Sequence, residues 1–264
     1  MSQLAGFIND KQPLTHRPLA MTHVIYGYPS IEASLDWMQT LLAMGVETLE
    51  VQFPFSDPVA DGPTIVKACH LALESQPKMQ QCLTDLGRLG RDYPDSKILL
   101  MSYLNPVYRF GISKLVETAV KEGIAGLILP DLPIEHAQEY QDACQKNALD
   151  AIWLITPNMP KARIKLIAEQ ATGMLYCVSR AGVTGQKGNL ENSFDLAAYL
   201  DEIRQHTKVP LAVGFGIREA EQVAALSGSA DIAIVGSALL EAYNLGGKDA
   251  GRDLVARLFP QLSH

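Results

Sequence analysis

The 264-residue sequence lacks several features that would assign it to a specialised class of protein. Its four cysteines are far apart and form no C-x-x-C pair, so they favour neither a metal site nor a disulfide framework. No apolar run approaches the roughly 18 residues that a membrane helix needs, and the first residues lack the basic and apolar regions of a signal peptide. These absences predict a cytoplasmic protein with no membrane association, whose cysteines are buried as small hydrophobic side chains.

Positive charge is also scarce. The chain has 22 Lys and Arg against 29 Asp and Glu, which gives a net charge of −7. Nucleic acids attract basic surfaces, so this balance argues against a nucleic-acid-binding protein. The composition, 47% hydrophobic and 19% charged, instead predicts a chain with a sizeable core and excludes a largely disordered one.

Eight short runs of β-branched and aliphatic residues recur along the chain, and each is followed by a stretch long enough for an amphipathic helix. They are MTHVIY (21–26), ETLEVQF (47–53), KILLMSY (97–103), AGLIL (125–129), DAIWLI (150–155), GMLYCVS (173–179), VPLAVG (209–214) and DIAIVG (231–236). Repeated βα units build a parallel sheet, and eight of them close a barrel. We therefore predict an α/β fold in which residues 1–264 form a single (βα)8 TIM-barrel domain, with a short N-terminal helix that closes the bottom of the barrel.

The turn residues agree with this pattern. A glycine stands before several of the strands, where it would end the preceding helix in a left-handed conformation (Gly45, Gly123, Gly173 and Gly228). Gln76-Pro77 predicts a break between two helices. The competing architecture, an open doubly wound sheet, would carry G-x-G-x-x-G after its first strand. Tyr26-Gly27-Tyr28-Pro29 stands there instead, so a dinucleotide site is not expected.

The second run has an unusual polar face. Strands of a parallel sheet are normally apolar on both faces, yet Thr48, Glu50 and Gln52 alternate here with Leu49, Val51 and Phe53. A carboxyl group that points into the barrel is desolvated, which raises its pKa towards the range that suits a proton donor. From this strand alone, two interpretations of Glu50 stay open: a proton donor and a buried structural hydrogen bond.

The loop PFSDPVADGP follows this strand and presents two carboxylates on a backbone stiffened by proline. Asp57 precedes Pro58, which favours an ordinary turn. Asp61 precedes Gly62-Pro63 and could either begin the next helix or serve a functional site, so its role stays open.

Glycine-rich turns end the last two predicted strands, at Val213-Gly214-Phe215-Gly216 and Val235-Gly236-Ser237. Glycine lets the backbone approach a ligand, and a helix N-terminus offers free N–H groups to an anion. Tight strand-to-helix turns would also use glycine, and Ser237 could be only a helix cap. Because two such turns fall on adjacent strands, we favour a phosphate site here.

A third glycine-rich segment, SRAGVTGQKGN, follows the sixth run at residues 179–189. It is not a Walker A loop. We favour a lid over the barrel mouth, against the alternative of an ordinary surface loop. Tyr176, just before it, is either a core aromatic or a hydroxyl that faces the site.

The motifs LEVQFPFSDPVADGP, NPVYRFG, LPDLP, SRAGVTG, GFGI and VGS, in this order along almost the whole chain, resemble the α subunit of tryptophan synthase. The resemblance implies a (βα)8 barrel that cleaves indole-3-glycerol phosphate to indole and glyceraldehyde 3-phosphate, in the last steps of L-tryptophan biosynthesis. It implies no cofactor in this chain. The expected partner is a β subunit that carries pyridoxal phosphate and receives the indole, in an α2β2 heterotetramer.

The resemblance also implies roles for individual residues. Glu50 matches the general acid/base, and Asp61 matches the carboxylate that interacts with the indole N–H. The substrate would also contact Tyr176, Thr184, Tyr103, Leu129 and Phe215. The phosphate would lie against Gly185, Gly216, Gly236 and Ser237, and the β subunit against Pro54, Asp57 and Asn105.

The expected chemistry suits these residue types. A retro-aldol cleavage needs indole C3 to be protonated, positive charge on the ring nitrogen to be stabilised, and a side-chain hydroxyl to lose its proton. A protonated Glu50 in a largely apolar pocket and an ionised Asp61 can divide this work.

The sequence departs from the family pattern at several positions. Gln52 stands where glycine is usual, His23 where an aromatic is common, Tyr28 within the usual G-D-P turn, and Ala181 where a polar residue is usual. We expect His23 to be a hydrogen-bonded core histidine rather than a substrate neighbour. The alternative functions are another phosphate-binding barrel enzyme, a stand-alone indole-releasing lyase, and a weakly catalytic subunit that mainly activates its partner.

Overall fold

The structure, a computed structural model, describes residues 2–178, 195–214 and 216–262. Eight parallel strands pair in sequence order, and β1 also pairs with β8, so the sheet closes into a barrel. The strands are β1 Leu19–Ile25, β2 Thr48–Gln52, β3 Lys97–Met101, β4 Gly126–Ile128, β5 Asp150–Ile155, β6 Leu175–Val178, β7 Leu211–Gly214 and β8 Ile232–Val235. The predicted (βα)8 TIM barrel is confirmed: seven of the eight predicted runs contain their strand, and β1 overlaps the first run but begins two residues before it.

Helices alternate with the strands along the chain. They are α1 Gln3–Thr15, α2 Ile31–Ala43, α3 Pro63–Glu74, α4 Met79–Asp92, α5 Leu104–Phe110, α6 Ile112–Glu122, α7 Gln138–Lys146, α8 Lys161–Gln170, α9 Leu196–Arg204, α10 Ala220–Ala225 and α11 Ser237–Leu258. Short 3-10 turns occur at Ile134–His136 and Pro260–Leu262. Local signals set several helix ends: Ser30 accepts a hydrogen bond from the N–H of Ala33 and so caps α2.

Two of the predictions from turn residues are confirmed. The four glycines expected at helix ends all have positive φ, at +86° for Gly45, +79° for Gly123, +56° for Gly173 and +82° for Gly228. Gln76-Pro77 lies between α3 and α4, so it separates two helices.

The predicted N-terminal helix is present as α1 and closes the amino-terminal end of the barrel. Leu4 and Ile8 of this helix are fully buried and pack with side chains that line the barrel interior, such as Leu19 and Ile152. The hydroxyl of Ser2 also accepts a hydrogen bond from the N–H of Gly173, just before β6. The helix therefore fills the end of the barrel opposite to the one where the strands terminate.

Side chains of each strand alternate between two hydrophobic clusters. The interior cluster fills the barrel and consists of Leu4, Ile8, Leu19, Met21, Leu99, Met101, Tyr103, Ile128, Ile152, Met174, Ala212, Ile232 and Ile234. The outer cluster lies between the strands and the helices and includes Val24, Val51, Leu100 and Leu127. All four cysteines are buried with free thiols, as predicted. In the described ranges no helix is long and apolar enough to cross a membrane.

Candidate active site at the carboxyl ends of the strands

Glu50 lies on β2 with its side chain inside the barrel. Its Cα partners are His23 on β1 and Leu99 on β3, and Leu99 belongs to the interior cluster. The residue is 1% exposed. Burial, and secondly the negative charge of Asp61, raise the pKa of Glu50 to about 8, so its carboxyl group keeps its proton at neutral pH. Its Oε2 atom has no hydrogen-bond partner among the described residues.

Asp61 lies in the loop between β2 and α3 and is 8% exposed. Its Oδ2 atom accepts hydrogen bonds from Gln52 Nε2 at 2.7 Å and from the Tyr103 hydroxyl at 2.8 Å. Gly62, not Asp61, is the N-cap of α3. Burial raises the pKa of Asp61, while His23 and these two hydrogen bonds act to lower it.

Tyr103 lies two residues after the end of β3 and is the N-cap of α5. It is fully buried, and its oxygen also accepts a hydrogen bond of 3.0 Å from the N–H of Ala60. Burial and the neighbouring Asp61 raise the pKa of Tyr103. The ring thus joins the β3 end to the loop that carries Asp61 and fixes the carboxylate in place.

Tyr176 lies on β6 between Leu154 and Ala212 and packs against the interior cluster. Burial raises the pKa of Tyr176, and the charges of Glu50 and Asp61 raise it further. Gly214 leaves room for the ring, since a Cβ atom there would lie 3.3 Å from Tyr176 Cε1. The ring therefore packs in the barrel interior, and its hydroxyl is subject to the charges of both carboxylates.

Gln52 and His23 form a second hydrogen-bonded group inside the barrel. Gln52 is fully buried, and its Oε1 lies 2.7 Å from His23 Nε2. His23 is thus buried and hydrogen-bonded through this nitrogen, as the sequence predicted. Its other ring nitrogen, Nδ1, is buried and has no partner in the part of the chain that the structure describes.

The two glycine-rich turns differ in how they reach their helices. Gly236 is the N-cap of α11, whose first residue is Ser237, and no side chain caps this helix. Gly216 has φ of +61°, a conformation that favours glycine. The β7 turn does not lead directly into a helix as the sequence suggested, because α10 begins only at Ala220. The turn after β8 therefore presents helix N–H groups directly next to its glycine, whereas the turn after β7 does not.

Several of the expected substrate and phosphate residues lie outside the described residues: Thr184, Gly185 and Phe215, together with the predicted lid. Leu129 was expected near the indole pocket, but it packs in the outer cluster, while its neighbour Ile128 is in the interior cluster. The reason is the alternation of side chains along β4. Sequence reasoning passed over Ile128 and Met101, and counting alternate positions from Glu50 across the paired strands is the signal that finds them.

The expected partner residues differ in exposure. Asp57 and Asn105 are exposed, whereas Pro54 is buried. Two large apolar side chains near them are also exposed, Val59 at 72% in the loop after β2 and Tyr108 at 69% on α5. Both segments follow a strand end, on the same end of the barrel as the carboxylates.

No group of three or more His, Cys, Asp or Glu side chains that could hold a metal ion occurs within residues 2–178, 195–214 and 216–262. The polar groups of the candidate site are two carboxyls, two tyrosines, an amide and an imidazole. These groups can donate and accept protons, so the arrangement suits acid–base chemistry on a small molecule.

Comparison with known proteins gives a consistent result. Residues 10–257 match the family described as tryptophan synthase alpha chain. The tryptophan synthase alpha chain of Syntrophotalea carbinolica is 38% identical over 232 residues, which cover 88% of this chain and 90% of that protein. That of Methanosarcina barkeri is 40% identical over 238 residues, covering 89% and 86%.

Solved structures agree with this result. Mycobacterium tuberculosis tryptophan synthase superposes with a TM-score of 0.89 at 30% identity, covering 100% of this chain and 99% of that chain. A chain of the tryptophan synthase complex from Pyrococcus furiosus gives a TM-score of 0.81 at 28% identity, covering 92% and 98%.

Proposed function

This chain belongs to the tryptophan synthase alpha chain family, and on that premise we propose that it is a lyase that cleaves indole-3-glycerol phosphate to indole and glyceraldehyde 3-phosphate. The observation that carries the proposal is the pair of buried carboxyls in different surroundings. Glu50 holds its proton because it is desolvated beside a negative charge. Asp61 accepts two hydrogen bonds, which stabilise its ionised form.

In the proposed reaction Glu50 donates its proton to C3 of the indole ring. Positive charge then develops on the ring nitrogen, and the ionised Asp61 stabilises it through the N–H group. The carboxylate of Glu50 next accepts the proton of the hydroxyl on the carbon attached to C3. The C–C bond breaks, its electron pair returns to the indole ring, and the hydroxyl carbon becomes the aldehyde. Glu50 regains its proton, so no external acid or base is consumed.

The remaining assignments place the substrate. Gly236 and Ser237 offer backbone N–H groups at the N-terminus of α11, which favours the phosphate, and Gly216 would offer another from the turn after β7. Tyr176 and Tyr103 would line the indole site beside the carboxylates, and Ile128 is the residue of β4 that fits this pocket better than Leu129. By family resemblance Gly185 would complete the phosphate side, Thr184 would contact the substrate where the lid meets the loop that carries Asp61, and Phe215 would line the pocket. This anchoring can be used to orient the reacting carbon.

We further propose that a β subunit carrying pyridoxal phosphate receives the indole, in an α2β2 complex, and that this chain itself needs no cofactor. The surface would be the loop after β2, where Asp57 and Val59 are exposed, and helix α5 after β3, where Asn105 and Tyr108 are exposed. Exposed apolar side chains rimmed by polar ones are typical of a protein interface. Pro54, being buried, would shape the loop rather than contact the partner.

Purified protein is incubated with indole-3-glycerol phosphate, with and without a β subunit, and indole release is measured. Glu50→Gln should lower cleavage by about 10²- to 10⁴-fold, because an amide at this position donates no proton to C3. Asp57→Asn, in the same loop as Asp61 but exposed, should keep basal cleavage and reduce only the stimulation by the β subunit. Absence of indole in all wild-type reactions would refute the enzyme assignment. A Glu50→Gln protein with wild-type cleavage would refute the mechanism.

The same variant separates the enzyme from a subunit that mainly activates its partner. The conversion of free indole to tryptophan by the β subunit needs no cleavage by this chain. Glu50→Gln should therefore still stimulate that step if it remains folded, while it loses cleavage. A wild-type chain that stimulates the β subunit but releases no indole would favour the activator alone.

A further inference from the structure

The side-chain amide of Gln52 lies between two polar groups of the candidate site. Its Nε2 atom donates to Asp61 Oδ2 at 2.7 Å and has a longer contact of 3.4 Å with Cys69 Sγ. Its Oε1 atom lies 2.7 Å from His23 Nε2. Gln52 is fully buried, so both contacts are shielded from water.

This arrangement fixes the position of the proton on His23. An ionised carboxylate only accepts hydrogen bonds, so the NH2 group of Gln52 must face Asp61 and its oxygen must face His23. His23 Nε2 therefore carries hydrogen and donates to Gln52. Burial lowers the pKa of His23, which favours the neutral ring. Nδ1 is then left with a lone pair and no proton.

The free acceptor lies between the two ends of the proposed substrate site. On one side His23 is the Cα partner of Glu50. On the other side it adjoins Gly236, where a Cβ atom would lie 3.6 Å from His23 Cβ and 4.0 Å from Nδ1. Nδ1 is buried without a partner among the residues that the structure describes, whereas buried polar groups are generally paired. A ligand that spans Glu50 and Gly236 would pass this nitrogen.

We propose that Gln52 is a positioning residue that holds Asp61 and, through the same amide, presents His23 Nδ1 as a hydrogen-bond acceptor for a hydroxyl group on the chain that joins indole to phosphate. The inference rests on the proposed function. His23 would bind the hydroxylated chain of the substrate. Gln52 would hold both His23, which binds this chain, and Asp61, which stabilises the indole ring.

The test compares two ligands that differ in these hydroxyls. Indole-3-glycerol phosphate is the proposed substrate, and indole-3-propanol phosphate, which has the same ring and phosphate but lacks the hydroxyls, should compete with it for the site. His23→Phe keeps an aromatic ring and removes the acceptor. It should raise KM for the substrate about three- to tenfold, the value of one lost hydrogen bond, while Ki for the propanol analogue stays within about twofold of wild type.

His23→Asn is the matched variant, because its Oδ1 atom is separated from the backbone by the same number of bonds as Nδ1. It should bind the substrate more tightly than His23→Phe does. Far-UV circular dichroism and thermal unfolding check that both variants fold. An equal rise of KM and of Ki in His23→Phe would mean that the ring acts only through its shape, and an unchanged KM would mean that Nδ1 meets no hydroxyl. Either result would overturn the inference.

Gln52→Met tests the positioning role. It should raise KM, because the His23 tautomer is no longer fixed, and also lower kcat, because Asp61 loses a donor. The double variant with His23→Phe should show no further rise of KM, since both changes remove the same hydrogen bond. If KM of the double variant rises by the product of the two single-variant effects, the two residues act independently and the link between them is overturned. A wild-type chain that neither cleaves the substrate nor binds the analogue would instead refute the proposed function, and this inference with it.

Discussion

The two ends of the barrel interior are filled by different kinds of side chain. At the amino-terminal end, α1 and the strand starts supply aliphatic groups such as Ile8, Leu19 and Ile152. At the carboxyl-terminal end, polar groups such as Glu50 and Gln52 are equally buried. On β1 the change occurs within two residues, between Met21 and His23, which point to the same face.

The two ends therefore contribute differently: the aliphatic end stabilises the fold, and the polar end holds the groups for the proposed reaction. Burial of aliphatic side chains stabilises the folded state, whereas burial of a carboxyl or an imidazole costs free energy unless it is paired. Glu50 Oε2 and His23 Nδ1 both lack a hydrogen-bond partner among the described residues. The polar end therefore keeps hydrogen-bonding groups that a bound molecule can use. Substitutions at the two ends should therefore change different measurements.

The largest effect on stability is expected at the aliphatic end. Ile8 is fully buried in the interior cluster. Ile8→Ala should lower the free energy of unfolding by about 2–5 kcal/mol through lost burial and the cavity left behind, with kcat unchanged where the protein is still folded. Urea unfolding measures the first and indole release the second. Leu14→Ala, on the same helix but with 78% of its surface exposed, is the control and should change stability by less than about 0.5 kcal/mol. A loss of kcat in folded Ile8→Ala would show that the aliphatic end also affects the reaction.

Glu50→Gln, at the polar end, should raise the free energy of unfolding at neutral pH rather than lower it. The folded protein holds the Glu50 proton up to pH about 8, whereas the unfolded chain loses it near 4.5. Between these values the folded state binds more protons, so wild-type stability falls as pH rises. At about 1.4 kcal/mol per pKa unit, the penalty that accumulates from pH 5 to pH 8 is at most about 4 kcal/mol.

The glutamine variant does not ionise, so it should match wild type near pH 5 and become more stable than wild type towards pH 8. Thermal unfolding at several pH values measures this difference. A difference that stays constant over the range would show that Glu50 ionises in the folded state as readily as in the unfolded chain. The variant that loses cleavage is thus expected to be the more stable protein at neutral pH. At the polar end, unlike the aliphatic end, the native side chain therefore serves the reaction at the expense of stability.

Local patterns predicted the aliphatic end and the architecture better than the polar site. The alternation within ETLEVQF placed Glu50 and Gln52 on one face, and glycine placed the helix ends, because both signals depend on neighbouring residues. Where partners are distant in sequence, local reasoning fell short. The hydroxyl of Tyr103 meets Asp61 across 42 residues, and nothing in either segment predicts that contact.

Two smaller differences concern single residues. β1 begins at Leu19 rather than at Met21, because Leu19 pairs with Ile232 and its N–H bonds to the carbonyl of Asp231, both far along the chain. Leu129 was assigned to the pocket by resemblance, whereas it packs in the outer cluster and its neighbour Ile128 belongs to the interior cluster.

Tyr103→Phe tests whether the polar end depends on such a contact. Removing the hydroxyl takes one donor from Asp61, and because that hydrogen bond lowers the pKa of Asp61, its loss should raise it. The acid limb of the pH profile of kcat/KM should move to higher pH, with a loss of about tenfold, since a hydrogen bond to a charged group contributes about 1.5 kcal/mol or more. Tyr199→Phe removes a buried hydroxyl that bonds to the carbonyl of Ile155 in the outer layer, so it should affect stability alone. Equal pH profiles for the two variants would contradict a specific role for Tyr103.

The smallest effect is expected from Gly214→Ala, which tests how closely Tyr176 is packed in the polar end. A Cβ atom there would lie 3.3 Å from Tyr176 Cε1 and 3.5 Å from its hydroxyl, so the ring must shift by a few tenths of an ångström. Such a shift should lower stability by about 0.5–1 kcal/mol. A displacement of about 1 Å at an active site lowers the rate about 100-fold. Because the shift here is only a few tenths of an ångström, kcat should fall about two- to threefold. Gly90→Ala on α4 is the matched control, since its Cβ atom would meet Ile98 Cδ1 at 3.9 Å, an ordinary contact; it should raise stability by about 0.5–1 kcal/mol without changing kcat. If Gly214→Ala alters stability but leaves kcat at the wild-type value, the position of Tyr176 does not matter for the reaction, and the tyrosine belongs with the side chains that only fill the barrel.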